Sequence, residues 1–151
     1  MAGRPRQTAA RTVYVDTGAF IALIWSRDRD HDAVREQYGL FRAERARLTT
    51  SDAVIGETAT RLRYDAGLAA ARTFHEVIRD ATAAAALTIR ESDGELRARA
   101  FAVMARYDGL TLSYADCVGA AVAADIRADA VFGLDGDFRV MGFHLEPSTY
   151  R

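Results

Sequence analysis

The chain has 151 residues, half of them hydrophobic and 27% charged, with a net charge of −1. This is enough for one domain with a real core, too little for two, and globular rather than disordered in composition. Near neutrality removes any global basic field for nucleic acid, and a single cysteine, Cys117, excludes a disulfide framework and a cysteine-built zinc site.

Residues 1–11 carry Arg4, Pro5 and Arg6 with almost nothing to bury, which predicts a flexible tail ahead of a single domain over residues 12–151. Val13-Tyr14-Val15 is a short apolar run of the kind buried on both faces of a sheet. A helix follows over residues 19–25; this run is too short to cross a bilayer and lies too far in for a secretion signal, so a cytoplasmic protein is expected. After a polar break at residues 26–30, Val34, Tyr38 and Phe41 recur at helical spacing within residues 31–45.

Leu48-Thr49-Thr50 reads as a second strand, with Ser51 or Asp52 capping a helix that runs to residue 63. Gly67 punctuates, and Leu68, Ala71, Phe74 and Ile78 mark another helix. Residues 87–89 form a third strand, and Ser92-Asp93-Gly94-Glu95 opens a helix to residue 107. A helix over residues 113–126, a strand over 130–132, a loop around Asp135 and a strand over 142–145 complete the chain. Short strands alternating with helices predict an α/β three-layer sandwich, its central sheet mainly parallel with helices on both faces.

Four acids stand where these elements begin or end. Asp16 follows the first strand and Asp135 a late one, the edge where open parallel sheets gather function. Glu57 and Asp116 belong to helices able to open toward the same edge. Carboxylates brought together repel one another unless a cation lies between them. Such hard oxygen donors suit Mg²⁺ or Mn²⁺ rather than zinc. A metal there turns bound water into a nucleophile and neutralises charge on a phosphate.

Each acid also has a plainer role open to it. Ser113-x-x-Asp116 satisfies a capping box. Glu57 and Arg61 are spaced for a surface ion pair, Arg61 being otherwise a candidate for phosphate contact. Asp135-Gly136-Asp137 has the composition of an ordinary turn. Asp16 is hardest to reduce to a turn cap, because a carboxylate beyond a buried strand tip is costly without a partner.

The joint pattern resembles the PIN domain, the metal-dependent ribonuclease fold of VapC-type toxins in bacterial toxin–antitoxin pairs. Val13-Tyr14-Val15-Asp16-Thr17 resembles its opening strand, and Thr50 through Glu57 the helix that supplies its glutamate. Leu112-Ser113-Tyr114-Ala115-Asp116 resembles its Ser-x-x-Asp helix, and Leu134-Asp135-Gly136-Asp137-Phe138 its closing acidic loop. The resemblance implies RNA cleavage by metal-activated water, with Asp16, Glu57, Asp116 and Asp135 as catalytic ligands of Mg²⁺ or Mn²⁺. Asp137 remains an alternative closing acid, and Thr17 and Ser113 are implied as supporting hydroxyls. A cognate antitoxin and a homodimer are implied as partners. One departure is Gly133, where many relatives place a threonine.

Two other readings compete. A non-catalytic PIN module binding RNA or a protein partner needs no carboxylates, so the intact acidic set argues against it. An aspartyl-phosphate enzyme with Asp16 as nucleophile is disfavoured by Gly18 two residues on. It is disfavoured also because all 20 basic residues are arginine and no lysine exists to hold a phosphate. The arginine excess itself needs only a GC-rich codon bias.

The remaining polar and aromatic residues carry structural expectations. His31, His75 and His144 lack ligand spacing, Cys117 reads as a core residue, and Trp25, Tyr38 and Phe41 as core or dimer face.

Overall fold

The computed structural model describes residues 9–148, so residues 1–8 of the expected tail and 149–151 of the expected domain lie outside it. Five strands form one sheet: β1 (Thr12–Val15), β2 (Arg47–Ser51), β3 (Leu87–Arg90), β4 (Ala130–Phe132) and β5 (Leu145–Glu146). Their order is β3-β2-β1-β4-β5, and every pairing is parallel. The α/β sandwich is therefore as expected, with a sheet that is parallel throughout.

β1 sits at the centre because it can be buried on both faces: Val13, Tyr14 and Val15 are all 2% exposed or less. Successive side chains point to opposite faces. Tyr14 reaches α6 (Tyr114–Asp125), where its ring occupies the space a side chain on Gly119 would take. Val15 and Phe132 face α1 (Thr17–Ile24), α2 (His31–Ala43) and α4 (Leu68–Ala83), and Phe132 meets Phe41 edge-on with ring centroids 5.1 Å apart. α3 (Asp52–Asp65) packs against α1, α4 and α6, and α5 (Gly94–Arg106) lies against α6. Phe41 and Cys117 are core residues, while Trp25 and Tyr38 are half-buried. Among the described residues no helix is long and apolar enough to cross a membrane.

Three helices return to the sheet through the same turn. Two residues past the ends of α2, α4 and α6 stand Arg45, Ala85 and Arg127, each with φ between 50° and 54°, in the left-handed region. The next residue closes the helix with a long backbone bond: Ala46 to Phe41, Ala86 to Ala81 and Ala128 to Ala123, at 2.8–2.9 Å. A side chain in this conformation costs about 1–2 kcal/mol, which glycine avoids. Ala85→Gly is therefore expected to raise unfolding free energy by about 1 kcal/mol in urea titration. A destabilised variant would contradict this account of the turn.

Some boundaries differ from expectation. α1 begins at Thr17, straight after Asp16, rather than at Ala19. The final strand is Leu145–Glu146, displaced because Gly142, at φ 94°, still belongs to the turn that leaves a short helix. That helix, α7 (Asp137–Val140), is a single turn anchored by the fully buried Phe138. Arg11, expected in the tail, is tied to the domain through Glu44 at 3.3 Å and Glu146 at 2.9 Å.

Candidate active site

The C-terminal edge of the sheet carries the acids. Asp16 continues the β1–β4 ladder, its N–H donating to the Phe132 carbonyl at 2.9 Å, so its Cα is fixed at the strand tip. It occupies the N-cap position of α1, yet its side chain makes no capping bond. Asp16 is 3% exposed, and its Oδ1 is buried with no hydrogen-bond partner. A turn-capping role for Asp16 therefore fails. Burial, with the Asp116 carboxylate adding to it, raises its pKa to about 7 against the opposing pull of the Thr17 N–H.

Glu57 is carried by α3, whose first turn is held by Ser51: its Oγ accepts the Val54 N–H at 3.2 Å and meets the Tyr14 hydroxyl at 3.0 Å. The spacing of Glu57 to Arg61 predicts an ion pair. None forms among the described residues; Thr17 Oγ1 donates to Glu57 Oε2 at 3.0 Å instead. Thr17 thus holds one oxygen of the Glu57 carboxylate.

For Asp116 the capping role is realised, and the same residue lines the acidic cavity. Ser113 Oγ accepts the Asp116 N–H at 3.1 Å, and Asp116 Oδ2 accepts the Ser113 N–H at 2.9 Å, a complete capping box. The box uses Oδ2 alone, so Oδ1 takes no part in it. Burial raises the Asp116 pKa despite both Ser113 bonds, with Asp135 and Glu57 contributing. Asp135 is likewise a turn residue, its Oδ1 accepting the Asp137 N–H at 2.9 Å.

Asp16, Glu57, Asp116 and Asp135 line one polar cavity of about 410 Å³, together with Thr17, Ser113 and Arg61. Asp137 is not among its lining residues. Sequence reasoning missed Asp28 and Asp30, which reach the cavity from the α1–α2 loop, where Asp28 Oδ1 accepts the Asp30 N–H at 2.8 Å. Their Asp-x-Asp spacing was visible, but not the folding of that loop toward β1. Gly133 also acquires a reason: a Cβ there would lie 3.0 Å from the Asp16 Cβ. The threonine of many relatives would press on the buried carboxylate.

Among the described residues no group of three or more His, Cys, Asp or Glu side chains is drawn together as a metal site. Each of Glu57, Asp116 and Asp135 leans on a protein donor. The donor set nonetheless fits a divalent cation. It is all carboxylate oxygen, and it includes one buried oxygen that no protein group satisfies.

The histidines are occupied elsewhere. His31 Nδ1 meets the Ala22 carbonyl at 2.6 Å, His144 meets Glu146 at 3.3 Å, and His75 is exposed.

No curated protein sequence matches this chain significantly. Among solved structures, it is similar to VapC20 of Mycobacterium tuberculosis, described as a Sarcin-Ricin loop cleaving toxin. Identity is 26% and the TM-score 0.76, covering 87% of this chain and 95% of that one. It is also similar in fold to VapBC2 of Rickettsia felis, solved with a DNA fragment from its promoter (14% identity, TM-score 0.65, 89% and 97% covered). FitAcB of Neisseria gonorrhoeae is similar at 14% identity and a TM-score of 0.58, with 88% and 95% covered. The PIN domain profile matches residues 13–144, nearly the whole of the described fold, and the chain belongs to the PIN domain family.

Proposed function

We propose that this protein is a divalent-cation-dependent endoribonuclease, the toxin of a toxin–antitoxin pair acting in the cytoplasm. The observation that carries the reading is the convergence of four acids from separate elements on one cavity, with Asp16 Oδ1 buried and unpartnered. Family membership and the similarity to VapC20 support it.

In this reading Asp16, Glu57, Asp116 and Asp135 hold Mg²⁺ or Mn²⁺. When bound, the cation supplies a water-derived nucleophile at neutral pH and offsets negative charge building on the phosphate. The chain's own part is orientation. Thr17 fixes one oxygen of Glu57, and Ser113 fixes one oxygen of Asp116. The Asp137 N–H fixes Asp135, so Asp137 acts through its backbone while Asp135 is the closing acid. Asp16, its pKa raised to about 7, would hold a cation in its deprotonated form, the proton being lost to solvent.

The proposed partners are RNA, a cognate antitoxin and a second copy of the chain. For the antitoxin we assign an apolar groove of about 410 Å³ between α1, α2 and α4, lined by Phe20, Ile24, Tyr38, Val77 and Ile78 among others.

A sarcin–ricin loop RNA is the first substrate to test, with Mn²⁺ and with EDTA. Cleavage that EDTA abolishes is expected. Asp135→Asn is expected to lose about 100-fold or more in rate, the scale of a lost metal-held group, and Asp137→Asn less than about threefold. The reverse order would make Asp137 the closing acid. The dispersed carboxylates favour one competing reading, a non-catalytic module that binds RNA or protein. EDTA-insensitive RNA binding without cleavage is its signature.

A further inference from the structure

The cavity wall holds a cation that no part of the fold uses. Arg61 lines it one helical turn beyond Glu57, yet among the described residues it makes no ion pair and no side-chain hydrogen bond. Its expected partner is engaged by Thr17 at 3.0 Å. The other arginine of the cavity, Arg29, is paired with Asp30 at 3.5 Å. An exposed guanidinium beside Asp16, Asp28, Asp30, Glu57, Asp116 and Asp135 that pairs with none of them is available to an incoming anion.

We propose that Arg61 binds a phosphodiester of the RNA flanking the one that is cut. Guanidinium forks match phosphate oxygens bidentately. Arg61 pairs with no acid of the cavity, so its fork can take a phosphate of the strand without first breaking an internal contact. A contact of this kind positions the strand and lowers KM, and contributes little to the chemical step. The inference rests on the ribonuclease reading, and identifies a positioning residue for it.

The test is steady-state cleavage of a fluorophore–quencher single-stranded RNA with Mn²⁺, over a range of salt. Arg61→Ala is expected to raise KM about tenfold, one charge-assisted bidentate contact, with kcat kept within about twofold. The slope of log KM against log salt is expected to fall by about 0.7, one phosphate contact on a single strand. Arg61→Gln repeats the result in a near-isosteric side chain, and Arg61→Lys recovers part of the loss. Arg63→Ala, the same charge removed from the same helix outside the cavity, behaves as the parent protein. The Mn²⁺-induced rise in melting temperature is unchanged in Arg61→Ala. Unaltered KM and salt slope in both neutral variants, or a loss confined to kcat, overturns the assignment of Arg61 alone. A parent protein that cleaves no RNA with Mn²⁺ overturns the ribonuclease reading, and this one with it.

Discussion

Asp16→Asn is expected to stabilise the metal-free protein at pH 8 while abolishing RNA cleavage. The carboxylate is buried, its Oδ1 lacks a donor, and its pKa is raised to about 7 from 3.8. Below about pH 4 the carboxyl is neutral in both folded and unfolded chains, so burial exacts no ionisation cost. Between pH 4 and pH 7 the unfolded chain ionises and the folded one resists, so stability falls as pH rises. Above pH 7 the full cost is present, about 4 kcal/mol for a shift of this size. Asparagine removes the charge but stays polar and buried, so the net gain is at most that amount. Urea unfolding in EDTA reads it: a gain of several kcal/mol at pH 8, shrinking toward zero at pH 4. An Asn variant less stable than the parent at pH 8 would refute the electrostatic account of Asp16. Added Mn²⁺ is expected to raise the melting temperature of the parent and leave the variant unmoved.

Asp116→Asn separates catalysis from folding in the opposite way. The box with Ser113 needs an acceptor for the Ser113 N–H, and the asparagine side-chain oxygen provides one. Stability at pH 7.5 is therefore expected to change by less than about 1 kcal/mol. Activity is expected to fall at least about 100-fold, because a carboxylate needed by the cation is gone. A variant that keeps activity would reduce Asp116 to a helix cap. One that unfolds would show that its charge serves α6 rather than the site.

These two residues also mark what a single sequence exposes. Asp16 was legible because an acid directly behind a doubly buried strand is costly to keep unless something binds it. Asp116 was legible through Ser113-x-x-Asp116, although the same letters spell a cap, and the fold forms that cap at the wall of the acidic cavity. Glu57 was ambiguous, since i, i+4 spacing to Arg61 suggests an ion pair. Only the tertiary approach of Thr17 redirects it. The choice between Asp135 and Asp137 depends on a one-turn helix too short to show periodicity, anchored by Phe138 from within the core. Asp28 and Asp30 were invisible for a related reason: the course of a loop is set by what it packs against. The parallel sheet was readable because strands this short and apolar, separated by helices, have few alternative arrangements.

The paths to the site are local even where the site is not. Tyr14, fully buried, holds Ser51, and Ser51 caps the helix that brings Glu57 forward. Thr50 Oγ1 donates to the Val15 carbonyl at 2.8 Å, tying β2 to the strand that ends in Asp16. Gly133, lacking a side chain, leaves the Asp16 carboxylate the space that a threonine would take. Fold and chemistry thus share the same few residues at the edge of β1.

The central claim is that four separated carboxylates form one divalent cation site, and calorimetric titration of Mn²⁺ into EDTA-stripped protein tests it most directly. Saturable binding at pH 8 is predicted, weakening at pH 6 where Asp16 holds its proton, and absent from Asp16→Asn and Asp116→Asn. A parent protein that takes up no Mn²⁺ at pH 8, or variants that bind as it does, would contradict the account.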